Sequence, residues 1–139
     1  LVQAKKYFQK TVKIQPNYAT AFFNLGNIYG ELKELKEALE AYREAIKIKS
    51  NYVSAYNNMG LIYRALGEYQ NAINCYNKVI EFSPDNAGAY NNLGLAYKEM
   101  GEFKKAINSH TKATKIDPEN LHHHFYLNEL NENFLDSII

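Results

Sequence analysis

The chain has 139 residues, room for one compact domain or a few repeated units. With 16 basic against 15 acidic residues the formal net charge is +1, which gives no electrostatic case for a nucleic-acid or membrane-surface partner. The single cysteine, Cys75, excludes a disulfide within the chain, and no apolar run approaches the roughly 20 residues that span a bilayer, so the expected setting is intracellular and cytoplasmic.

A period of 34 residues organises the chain: Pro16, Ser50, Pro84 and Pro118 keep it, as do Ala4, Ala38, Ala72 and Ala106. Residues 1–18 carry Ala4, Phe8, Thr11 and Pro16 and match only the second half of a unit. Three full units follow, at 19–52, 53–86 and 87–120. In each, two stretches place apolar and small residues three and four apart, the spacing of one helical face. In the second unit these are Tyr56, Met59, Gly60 and Tyr63, then Tyr69, Ala72, Ile73, Tyr76, Val79 and Ile80. Gly67 suits the left-handed residue that closes a helix, and Asn17, Asn51 and Asp85 are expected to cap the helices after the breaker segments. Residues 121–139 form a last helix with Leu127, Leu130 and Phe134 on one side, ending in an apolar tail from Leu135 to Ile139. Neither an initiator Met nor a first helix stands before residues 1–18, so the expectation is that the chain is part of a longer array.

Gly26, Gly60 and Gly94 recur inside helices, where glycine costs about 1 kcal/mol relative to alanine. A repeated cost implies a repeated reason, namely close approach of the paired helix. Leu25, Met59 and Leu93, with Tyr29, Tyr63 and Tyr97, are then expected to fill the space beside the glycines.

These residues resemble a tetratricopeptide repeat array. The signature of an aromatic, Leu, Gly and Tyr in one helix, then Ala, an aromatic, Ala and Pro in the next, reads here Phe22, Leu25, Gly26, Tyr29, Ala38, Tyr42, Ala45, Ser50. The second unit reads Tyr56, Met59, Gly60, Tyr63, Ala72, Tyr76, Val79, Pro84, and the third Tyr90, Leu93, Gly94, Tyr97, Ala106, His110, Ala113, Pro118. The resemblance implies an all-α fold, a right-handed solenoid of antiparallel helix pairs whose first helices line a concave surface. Residues 121–139, in which Asn128 and Asn131 replace the expected Gly and Tyr, become a C-terminal capping helix.

The search for chemistry is mostly negative: there is no phosphate loop, no zinc-protease motif and no paired-cysteine motif, so neither enzyme activity nor a cofactor is expected. Cys75 and His110 lie about one unit apart with no orienting acid, and a surface thiol and a packed imidazole are the plainer readings. His122, His123 and His124 are consecutive, so on a helix they point about 100° apart and cannot converge on one metal ion. His124 keeps the phase of Phe22, Tyr56 and Tyr90, which suggests packing.

Asn24, Asn58 and Asn92 repeat in phase on the first helices. The row resembles the asparagine ladder of O-linked N-acetylglucosamine transferases, in which amides hold the backbone of an extended peptide. Asn27 extends it, with Asn57 and Asn91 on a neighbouring row; Phe23, Leu61 and Leu95 offer apolar surface, and Arg64 and Lys98 would meet acidic groups. The resemblance also implies what is missing. The carboxylate clamp that holds heat-shock-chaperone tails needs Lys, Asn, Asn, Lys and Arg where this chain has Phe23, Asn27, Asn58, Gly88 and Asn92, so no such tail is expected to bind. The expected function is a scaffold holding a protein or peptide partner in its groove. The alternatives are the substrate-recruiting arm of a glycosyltransferase and a spacer in a large assembly. The apolar C-terminal end offers a surface for self-association.

Overall fold

A computed structural model of the chain describes residues 1–138, with the side chain of Ser137 left aside; Ile139, the last residue of the apolar tail, lies outside the described residues. Eight helices account for the described residues, with no strand among them: α1 (Val2–Ile14), α2 (Ala19–Glu31), α3 (Leu35–Ile48), α4 (Val53–Ala65), α5 (Tyr69–Phe82), α6 (Ala87–Glu99), α7 (Phe103–Ile116) and α8 (Leu121–Ile138). Helices α2 and α3, α4 and α5, and α6 and α7 pack as hairpins, and each second helix packs on the first helix of the next pair. The first helices α2, α4 and α6 also touch in sequence, whereas no comparable contact joins α3 to α5 or α5 to α7. The stack is therefore an all-α solenoid curved with its first helices on the inside.

The hairpin turns share one geometry. Gly67 and Gly101 adopt φ of 76° and 78°, and the following N–H groups of Glu68 and Glu102 reach back to the carbonyls of Tyr63 and Tyr97. In the first hairpin Lys33 takes the same place at φ 64°, a left-handed conformation that glycine adopts more cheaply. The breaker segments differ from expectation. The N–H groups of Tyr18, Tyr52 and Asn86 bond to the carbonyls of Gln15, Lys49 and Ser83, so each helix starts one residue later than Asn17, Asn51 and Asp85 would have it. Asn86 makes the one side-chain cap among these three, accepting from the Ala89 N–H at 2.9 Å.

The repeated glycines sit where two helices come closest. A Cβ on Gly26 would lie 2.6 Å from Tyr42 Cε1, and one on Gly94 2.5 Å from His110 Nε2; Gly60 faces Tyr76 in the same way. The ring beside each glycine therefore comes from the second helix. Tyr29 and Tyr63, expected in that space, turn to the preceding second helix, accepting from Gln9 Nε2 at 3.1 Å and Arg43 Nη2 at 2.7 Å. Ala38, Ala72 and Ala106 are fully buried, as are Ala45, Val79 and Ala113 about two turns further on.

The inserted rings are not equally satisfied. Tyr42 donates its hydroxyl to Asn27 Oδ1 at 2.7 Å. One period later Leu61 stands in place of Asn27, and the hydroxyl of Tyr76, wholly buried, has no partner among the described residues; burial pushes its pKa to about 12. In the third hairpin His110 replaces the tyrosine and Leu95 the asparagine, and neither ring nitrogen of the buried imidazole has a partner among the described residues.

Helix α8 covers this imidazole. The Tyr126 ring stacks on His110 at 5.5 Å, Leu130 is fully buried, and Lys98 reaches Glu129 at 2.8 Å. The histidine run resolves differently from expectation. His123, in phase with the buried Ala21, Ala55 and Ala89, is the one packed inside, while His124 is exposed and contacts the Pro118 carbonyl through Nε2 at 2.9 Å. The reason is that residues in the phase of His124 pack on their own second helix, Tyr56 against Phe82 and Tyr90 beneath Lys112. Nothing of that kind follows α8 among the described residues. Leu121, Phe125, Leu135 and Ile138 remain exposed on it.

Two outcomes follow for stability. Tyr42→Phe should cost about 1 kcal/mol, since it removes a made hydrogen bond, whereas Tyr76→Phe should be neutral or stabilising, since it removes an unpartnered hydroxyl; urea unfolding of the two variants compares them directly. His110 has its pKa lowered from 6.5 to about 4 by burial, then by His123 on α8 and Lys98 on α6, with Glu129 on α8 opposing. The unfolded chain therefore takes up this proton first. Stability should be complete above pH 6.5 and fall by something on the order of 3 kcal/mol as pH drops to 4, first as loss of α8 docking. His110→Tyr should flatten that dependence in a thermal-unfolding series against pH.

Candidate functional site

The inner face of α2, α4 and α6 gathers most of the side chains that the sequence marks for binding. Asn58 Nδ2 donates to Asn27 Oδ1 at 2.9 Å, an amide pair that joins the first two repeats. Leu61 interrupts the row at the next turn, and Asn92 turns instead to Asn57, donating to its Oδ1 at 3.2 Å. At the last junction Tyr126 stands where an asparagine would donate, and Asn91 Oδ1 is left without a partner among the described residues. Asn24 is half-buried and makes no side-chain hydrogen bond among the described residues. The amides are thus lateral ties between repeats before they are anything else. Each tie leaves capacity over: Asn27 Nδ2 donates to nothing among the described residues, and neither Asn58 Oδ1 nor Asn92 Oδ1 accepts.

The other candidates divide. Phe23 is half-buried and stacked on Tyr52 at 4.9 Å, so most of its ring is already committed to packing. Leu61 is 40% exposed and offers apolar surface, and Leu95 is half-buried. Arg64 and Lys98 do meet acidic groups, but of their own chain: Arg64 Nε lies 3.5 Å from Glu99 Oε1 and Lys98 Nζ 2.8 Å from Glu129 Oε1. Each ion pair spans from one first helix to the next.

Between α2 and α4 the face opens into a groove of about 510 Å³, whose lining includes Asn27, Tyr42, Asn58 and Leu61. Gly30 and Lys33 line it as well, and neither stood out from the sequence. The signal was available in the period. Gly30 is in phase with Arg64 and Lys98, and Lys33 with Gly67 and Gly101, so both depart from the units that follow.

The structure separates the pair considered for catalysis. Cys75 is buried in the cluster that holds Ala38, Leu39 and Tyr42, not on the surface, and burial pushes its thiol to about 11 against the opposing effect of Arg43. A buried thiol with a raised pKa is a poor nucleophile. His110 lies instead against α6 and α8. No group of three His, Cys, Asp or Glu among the described residues could hold a metal ion, and no helix among them is long and apolar enough to cross a membrane.

Comparison with known proteins agrees with this architecture. The chain is similar to MamA, with 26% identity and a TM-score of 0.87 over 93% of this chain and 75% of that one. It is also similar to MamA from Desulfovibrio magneticus RS-1, with 25% identity and a TM-score of 0.88 over 96% and 76% of the two chains. The first tetratricopeptide domain of Spaghetti (RPAP3), solved with the HSP90 peptide SRMEEVD, shares the fold at 17% identity and a TM-score of 0.79, over 84% of this chain and 93% of that one. Among curated proteins, 39 residues are 44% identical to the uncharacterized protein ycf37 of Pyropia yezoensis, a match spanning 28% of this chain and 22% of that protein. A family model described as TPR repeat matches residues 26–63 and 60–101, and two described as tetratricopeptide repeat match 87–120 and 7–40. The chain belongs to the tetratricopeptide repeat family.

Proposed function

We propose that this chain is a protein-interaction scaffold that holds an extended segment of a partner across the first helices of repeats 19–52, 53–86 and 87–120. The observation that carries this reading is the run of in-phase amides on the inner face. Of the in-phase row Asn24, Asn58 and Asn92, the last two tie the repeats together through Asn27 and Asn57, and Asn27 Nδ2, Asn58 Oδ1 and Asn92 Oδ1 stay unused among the described residues. A spare donor and a spare acceptor are what a peptide unit in an extended strand requires, and they do not depend on its side chains. Asn24 begins the row with its amide unused among the described residues, and Leu61, Leu95 and the part of the Phe23 ring not stacked on Tyr52 supply apolar contact. Arg64 and Lys98 choose side chains only when a partner's acid competes with Glu99 or Glu129.

The RPAP3 domain shares the fold and binds a chaperone peptide ending in Asp. Three of the positions that would clamp such a carboxylate are Phe23, Gly88 and Asn92 here, none of them a cation. A terminal carboxylate entering the groove would therefore lose water without gaining a counter-charge there, and we do not assign this partner class. The reading involves no catalytic step.

The test is capture of partner segments by the chain and by the Asn24→Ala, Asn58→Ala, Asn92→Ala triple variant. Binding should fall by about tenfold or more, for a loss of one to two hydrogen bonds per repeat. Helix content measured on the same samples separates this from unfolding. Undiminished capture by a folded triple variant would contradict the reading.

A further inference from the structure

The three repeat junctions are alike in backbone and unlike in what crosses them. At the second, Arg64 reaches Glu99; at the third, Lys98 reaches Glu129. At the first, Gly30 stands where Arg64 and Lys98 stand later, Ala65 stands in the place of Glu99 and Leu61 in that of Glu129, and the groove there is open. Gly30 is not explained by the fold. It is the second-last residue of α2, its φ is not left-handed, and a Cβ built on it would meet nothing within 4 Å. Its neighbour in the turn, Lys33, shows the opposite oddity. Lys33 occupies a left-handed position that Gly67 and Gly101 fill elsewhere, and it too lines the groove. A glycine where packing allows a side chain, and a side chain where the turn favours glycine, both change the same opening. The lining between them carries the apolar side chains of Leu35, Leu61, Ile62 and Ala65 beside the polar groups of Asn27, Tyr42 and Asn58. The two charges at its edge, Glu31 and Lys33, have no ion-pair partner among the described residues.

We infer that the opening between α2 and α4 is the anchor pocket of the groove, taking one long aliphatic side chain of an extended partner segment whose flanking residues are of opposite charge. The inference rests on the groove reading above and narrows it to one junction. The aliphatic side chain lies against Leu61, Ile62 and Leu35. A basic residue on one flank meets Glu31 and an acidic residue on the other meets Lys33. The backbone between them bonds to the spare Nδ2 of Asn27 and Oδ1 of Asn58. At the other two junctions the ion pairs of Arg64 and Lys98 stand across the corresponding place.

The design of the chain supplies its own closing variant. Gly30→Arg together with Ala65→Glu places at the first junction the pair that Arg64 and Glu99 make at the second. Both substitutions are compatible with a helix, so the melting temperature should hold or rise. The probes are synthetic peptides blocked at both ends, with Lys-Leu-Asp, Asp-Leu-Lys, Gln-Leu-Gln or Lys-Ala-Asp at the centre of an otherwise Ser-rich extended segment, followed by fluorescence anisotropy. One charged order around leucine should bind at least about fivefold more tightly than the neutral peptide, and exchange of leucine for alanine should cost about tenfold. The closing variant should lose that binding while remaining folded, and Lys33→Gly should abolish the preference for the acidic flank. Equal binding by the closing variant, or no loss from leucine to alanine, would overturn the pocket. If the closing variant binds normally but the triple asparagine variant does not, the pocket fails and the groove reading stands. If neither variant matters, both fail. Absence of binding by every peptide at about 1 mM would also overturn the pocket.

Discussion

The constraint on which the rest depends is the contact between a bare backbone and a ring. At Gly26, Gly60 and Gly94 a helix gives up its side chain so that Tyr42, Tyr76 or His110 can lie directly on it. This sets the distance within each hairpin. Because it recurs every 34 residues, the same close approach is built into each successive hairpin. Even a methyl group at these positions would collide with the ring.

Once the hairpins are fixed, the inner face is free to vary, and its variation is where binding specificity can reside. Tyr42 shows how the two layers meet: its ring fills the space at Gly26, and its hydroxyl reaches Asn27, which in turn holds Asn58. Core, lateral tie and groove are one hydrogen-bonded chain at the first junction. At the second, Leu61 breaks that chain, leaving Tyr76 unpartnered and sending Asn92 to Asn57. At the third, His110 and Tyr126 replace hydrogen bonding by stacking. The array thus moves from polar and open at one end to sealed at the other, with Arg64–Glu99 and Lys98–Glu129 as the seals.

The fold was legible because its determinants are local and repeated: the period, the glycines and the closing turn at Gly67 can each be read from a few residues. The site was legible only in part. Asn58 and Asn92 were recognisable as a row, but which amide each would face depends on its neighbour one repeat away, and that neighbour changes from Asn27 to Asn57. Arg64 and Lys98 looked like free cations because Glu99 and Glu129 lie about one period further on in sequence and meet them only in the stack. Gly30 and Lys33 were missed for the reverse reason. Neither fits a motif, and their meaning lies in departing from one. His123 and His124 differ in fate because burial on α8 depends on which second helix lies against each, which residue type does not encode.

The most direct measurement is a backbone-amide NMR titration of the isotope-labelled chain with a partner segment that it captures. The account predicts that shifts concentrate at residues 27–35 and 58–65, with smaller effects at Asn92 and little along α5 and α7. Changes confined to the second helices or to α8, with the inner face silent, would contradict it.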